Sequence, residues 1–100
     1  MIQRLVIPDA DTFDQMLEDG SYELASAIVD GIITQLPCDK YPLHIVEVFV
    51  EEEDSIYDLS VDKNDVIETL QENLRWYEQE ENYEGCATIV KTIETLRAEA

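Results

Sequence analysis

One hundred residues, 45% of them hydrophobic, are enough for a single domain with its own core but leave little to spare. Twenty-four acidic residues against six basic ones give a formal net charge of −18, which argues against a nucleic-acid-binding or anionic-membrane surface and favours cationic partners. No stretch approaches the roughly 20 apolar residues of a membrane span. The opening "MIQRLVIPDADTF" lacks the small-residue cleavage region of a secretory signal, so a cytoplasmic protein is expected.

In chain order, "IQRLVI" reads as a short strand ended by Pro8, which cannot donate to a ladder. Asp11 or Thr12 can cap a short helix carrying Phe13, Met16 and Leu17, and Gly20 closes it. Ser21 caps a second helix, whose apolar residues Tyr22, Ala25, Ile28, Val29, Ile32 and Leu36 form an i, i+3/i+4 stripe. Pro37 ends it, and "PCDKYP" is a loop.

"LHIVEVFV" is dense in β-branched and aromatic residues and is the strongest strand signal. "EEED" turns the chain into "SIYDLSV", which places Tyr57, Leu59 and Val61 on one face and Asp58 and Ser60 on the other. The short link makes these two strands an antiparallel hairpin, spanning about 43–61. Asp62 or Asn64 then starts a helix with Val66, Ile67, Leu70, Leu74 and Tyr77 inward; "EQEEN" turns, and the last helix runs from about Tyr83 to Arg97. The order strand, helix pair, strand, strand, helix pair predicts an α+β domain, a small antiparallel sheet of about three strands packed with two helical hairpins.

The helix pairs share a pattern. Tyr22, Glu23, Ile28, Val29 and Ile32 recur 61 residues on as Tyr83, Glu84, Ile89, Val90 and Ile93. This predicts one helical hairpin used twice, with the shared residues facing inward. "LQENLRWYEQEENYEGCATIVKTIETL" resembles the UVR motif, the helical hairpin named for bacterial excinuclease subunits. Tyr83-Glu84 stands for the motif's aromatic-Glu pair, Cys86-Ala87 for its small residues, and Ile89, Ile93 and Leu96 for its apolar stripe; residues 13–36 form a poorer copy. The family's Arg-Asp pair is replaced here by Val90-Lys91 and Val29-Asp30. The resemblance implies an adaptor or dimerisation module, including a homodimer, and no catalysis.

Catalytic and metal-binding patterns are weak. His44 stands alone in a strand, and three glycines supply no phosphate-cradling loop. Cys38 and Cys86 are expected as reduced thiols, a disulfide between them being the alternative. "EEEDSIYD" and "DKNDVIETLQE" have oxygen ligands but lack the mid-loop glycine of a calcium loop, and read as a solvated turn and a helix start. No enzyme, metal or cofactor is expected.

The acidic charge is uneven. Residues 47–84 hold 14 carboxylates against Lys63 and Arg75. On a helical projection Asp65, Glu68 and Glu72 lie opposite the apolar stripe, with Trp76 180° from Ile67. An aromatic among carboxylates is the composition of a hot spot aimed at a basic partner. Glu51, Glu52, Glu53, Asp54, Asp65, Glu68, Glu72, Trp76 and Glu80 are therefore the candidate partner-binding residues. Size and charge also resemble those of small acidic viral inhibitors that mimic DNA. The expected function is a non-enzymatic inhibitor or regulator that binds a basic, nucleic-acid-handling protein and no nucleic acid or membrane directly.

Overall fold

Strand β2 (Leu43–Val50) is the axis of the fold, and its composition explains why. Val46, Val48 and Val50 point to one side and are fully buried, as β-branched residues on the covered face of a sheet should be. A computed structural model of the chain describes residues 2–36 and 40–99. In it β1 (Gln3–Ile7) lies on one side of β2 and β3 (Ser55–Val61) on the other. The register sets Leu5 and Ile7 beside Val48 and Val50, so both strands feed the same core face. A bulge between His44 and Val46 admits Ile45 as an extra residue, which is why Ile45 and Val46 are both buried although adjacent.

The fold is α+β, with strand and helix order as the sequence predicts. The sheet is mixed, however, and not wholly antiparallel. β3 pairs antiparallel with β2 through the turn 51–54, whereas β1 pairs parallel. A parallel neighbour needs a crossover of a dozen or more residues. The helices α1 (Ala10–Asp19) and α2 (Tyr22–Ile33) supply it, returning the chain to the end from which β1 began.

Local chemistry fixes the helix ends. Asp9, and not Asp11 or Thr12, caps α1: its Oδ1 accepts from the Thr12 N–H at 2.7 Å and the Thr12 hydroxyl at 2.8 Å. Asp9, Asp11 and Thr12 all have cap chemistry, and Thr12 serves as the donor. Gly20 closes α1 at φ +75°, and Ser21 Oγ caps α2 by accepting from the Leu24 N–H at 3.0 Å. α2 ends at Ile33, before Leu36; the expected stop at Pro37 and the thiol of Cys38 lie outside the described residues. A single 3₁₀ turn (Lys63–Asp65) leads into α3 (Val66–Gln79). Neither Asp62 nor Asp65 makes a side-chain cap bond there. α4 (Tyr83–Glu99) begins behind Asn82, whose Oδ1 accepts from the Gly85 N–H at 3.0 Å.

α2 lies directly on β1 and β2, α3 packs on α2, and α4 packs on α3. Gly31 makes the first contact close, since a Cβ there would run into the Ile45 backbone carbonyl. Where the helix pairs meet, the Tyr22 ring stands edge-on to Tyr77 with centroids 5.2 Å apart. Asn82 Nδ2 donates to the Tyr22 hydroxyl at 2.8 Å.

This layering corrects the expectation that the repeated residues all face inward. Ile32 and Ile93 are both buried, but Val29 is buried where Val90 is 42% exposed. Tyr22 is half-buried and bonded, whereas Tyr83 is 69% exposed. The reason is position: α2 is covered by the sheet on one side and α3 on the other, while α4 is an outer helix covered on one side only. Cys86 is a free, half-buried thiol packed against the core. Among the described residues, no helix is long and apolar enough to cross a membrane.

Candidate protein-binding groove

Asp65, Glu68, Glu72 and Trp76 follow one another at intervals of three or four residues, so they form one stripe along α3. The inward stripe of the same helix, Val66, Leu70 and Tyr77, is buried. The second stripe forms the wall of a groove. Two adjoining hollows, about 540 Å³ and about 440 Å³, share Leu17, Ile28, Thr69 and Glu72 and run as one depression between α1 and α3.

The floor is apolar. Leu24 and Ala25 of α2 and Val61 of β3 are buried beneath it, and Ile28 and Leu59 are half-buried. Leu17 of α1 forms the opposite lip and is 54% exposed. It lies one turn along the same side of α1 from Phe13, which is buried and stacks on Tyr57 at 5.8 Å. The rim is acidic: Asp62, Asp65, Glu68 and Glu72 stand on the α3 side and Glu18 on the α1 side. Arg75 is the cation lining the groove, and its guanidinium lies 4.8 Å above the Trp76 ring.

Trp76 closes one end. It is half-buried, and its ring occupies the space that a side chain on Gly20 would need. The indole thus packs on the turn between α1 and α2, with one part of the ring lining the groove. The helical projection places Trp76 off the core stripe of α3; it does not reveal that a second helix pair comes up to meet it.

The sequence-derived candidates therefore separate into three places. Asp65, Glu68, Glu72 and Trp76 share the groove. Glu51, Glu52, Glu53 and Asp54 form the β2–β3 turn, at the far end of β3 and about 20 Å from the groove by strand rise. That turn is ordered by its own bonds: Glu51 and Glu52 donate backbone N–H groups to Ile7 and Pro8, and Glu53 Oε2 accepts from the Tyr57 hydroxyl at 2.8 Å. Glu80 caps the C-terminal end of α3 beyond Trp76 and lines neither hollow.

Sequence reading missed the floor and two of the rim residues. Leu17, Ile28 and Leu59 read as ordinary core positions, and only the arrangement of α1 across from α3 leaves them at the bottom of an open channel. Asp62 and Glu18 join the rim for the same tertiary reason. Phe13, Met16 and Leu17 at i, i+3 and i+4 form one ordinary apolar stripe, so the sequence carries no signal that Leu17 is left at an open lip.

Chemically the groove offers apolar area flanked by carboxylates. Among the described residues it is lined by no histidine or cysteine, and His44 and Cys86 lie elsewhere. Among the described residues, no three His, Cys, Asp or Glu side chains are grouped to hold a metal ion. Comparison of the chain with protein-family models, with curated proteins and with solved structures finds no match.

Proposed function

We propose that this chain is a non-enzymatic, cytoplasmic interaction protein that binds a basic surface of a nucleic-acid-handling protein and inhibits or regulates it. The observation that carries this reading is the α3 stripe of Asp65, Glu68 and Glu72 beside Trp76, set along an apolar groove on a molecule of net charge −18. Carboxylates steer a cationic partner and fix its orientation; apolar floor supplies the area that holds it. Mimicry of DNA would rest on the sign and alignment of these charges, since their spacing is wider than that of DNA. Asp65 to Glu72 spans about 10 Å of helix axis, so its three charges stand about 5 Å apart. One DNA strand carries a charge about every 3.4 Å of axis. A viral inhibitor is the setting in which such mimicry would act.

The test is a pull-down from lysate with the intact chain at low and high salt, with duplex DNA as competitor. Basic partners are expected to be retained at low salt, displaced by DNA and lost above roughly 0.5 M salt, where the Debye length falls to a few ångströms. Retention indifferent to salt rules the reading out.

A second reading has its own observation. Tyr83 and Val90 are exposed and seven residues apart, and so share the outer face of α4. A UVR-like adaptor or dimerisation module would use that face. It predicts association that survives high salt and is lost on Tyr83→Ala.

A further inference from the structure

The groove between α1 and α3 also bears on the shape of the partner, and this inference rests on the acidic-partner reading above. We propose that its occupant is a cationic amphipathic helix of about three turns, lying along α3 with its apolar side on Leu17, Ile28 and Leu59. Its Lys and Arg residues face Asp65, Glu68 and Glu72.

Three features lead there. The first is length: from Asp65, the residue before α3, to Trp76 is eleven residue steps, about 16 Å, which matches three turns of a second helix laid alongside. The second is the nature of the walls. Both are helices, whose backbone groups are bonded within themselves, so a ligand between them meets side chains and finds no strand edge to extend along α1 or α3. The edge strand β3 reaches the groove only through Leu59, Ser60 and Val61 at one end, so along α1 and α3 recognition comes from apolar side chains at i, i+3/i+4 and i+7 reaching the floor. The third is charge. Five carboxylates line the groove against Arg75, so the flanks of the occupant must be cationic.

A second copy of this chain fits poorly, because it brings another −18 to the contact. Leu17 makes the case for an occupant more than the carboxylates do. A leucine this exposed at the lip of an apolar trough gains most when something covers it.

Trp76 is the chain's sole tryptophan and lines the groove, so its emission reports occupancy directly. The probes are three synthetic peptides of about 14 residues, long enough for a little over three turns. One is a Leu/Lys amphipathic helix, one a scramble of the same composition, and one the amphipathic sequence with two central prolines. The amphipathic peptide should shift Trp76 emission, gain helical circular dichroism on binding, and bind at least about tenfold more tightly than either control. Leu17→Ser should abolish that advantage while leaving the fold intact, since Leu17 is a surface residue. Glu68→Lys combined with Glu72→Lys should weaken all three peptides.

Equal, salt-sensitive binding of all three peptides would overturn the helical occupant and leave the acidic-partner reading standing. Undiminished preference in Leu17→Ser would overturn the groove as its seat. Binding of none of them would overturn both.

Discussion

The Trp76 ring fills the space above Gly20 that any side chain at that position would occupy. Gly20 also closes α1 at φ +75°, a conformation that L residues adopt only with strain. Two independent penalties therefore fall on Gly20→Ala, and together they should destabilise the protein by about 2–4 kcal/mol. Trp76→Ala removes the same contact from the other side. As a half-buried aromatic it should cost about 2 kcal/mol, below the range for fully buried Trp or Phe. Urea unfolding of the two variants and the double variant measures both. If Gly20→Ala unfolds like wild type, the indole does not sit on the turn.

The junction between the helix pairs makes a second prediction. Tyr22→Phe keeps the ring against Tyr77 and removes the hydroxyl that accepts from Asn82, so it should cost about 0.5–1.5 kcal/mol. Asn82→Ala should cost more, because it also removes the acceptor for the Gly85 N–H at the start of α4. In a double-mutant cycle the coupling should approach the Tyr22→Phe value. Additive losses would mean that the bond contributes nothing.

Much of this architecture is legible in the sequence, for reasons visible in particular residues. β2 and β3 fall at Leu43–Val50 and Ser55–Val61 because β-branched alternation bounded by four acidic turn residues has no competing helical reading. Gly20 and Ser21 mark the α1–α2 junction by cap chemistry alone. What a single sequence lacks is relative placement. The parallel pairing of β1 depends on how the crossover returns. The unequal fates of Val29 and Val90 depend on which helix lies between layers and which lies outside. The groove is the same kind of fact: the α3 stripe can be drawn on a helical wheel, but Leu17 as its opposite lip cannot. Asp9 as the α1 cap was obscured differently, by neighbours of equal cap propensity.

Stability should fall at both ends of the pH range, through different groups. The bonds from Thr12, backbone first and hydroxyl second, hold the Asp9 carboxyl below its ordinary value. Its contribution is present above the unfolded pKa of about 3.9 and is lost as pH falls through the lower folded value. Tyr57 is raised, mainly by donating its hydroxyl to Glu53, and Tyr77 is raised mainly by burial. For both, the stabilisation is complete below the unfolded pKa of about 10 and is lost as pH rises through the folded values. A near-ultraviolet titration of the native protein should therefore show Tyr57 and Tyr77 ionising late, and Tyr57→Phe should remove one late-ionising group. Absence of any late-ionising tyrosine would contradict both assignments.

Salt should act on folding and on binding in opposite directions. The β2–β3 register places Glu47 directly across from Asp58, and the Arg4–Glu47 pair at 3.1 Å relieves only part of that repulsion. On α3, Asp65, Glu68 and Glu72 are like charges at three- and four-residue spacing, which destabilises a helix. With a net charge of −18, screening these repulsions should raise the melting temperature by several degrees between about 0.05 and about 0.5 M NaCl. The same screening should weaken a cationic partner in the groove. Glu72→Gln isolates the conflict at one side chain beyond the first turn of α3: it removes a like charge from the helix and an attractive charge from the groove. Its melting temperature at low salt should rise slightly while its affinity for a basic amphipathic peptide falls severalfold. A variant that gains stability and binds as tightly as wild type would show that the α3 carboxylates contribute repulsion and nothing to recognition.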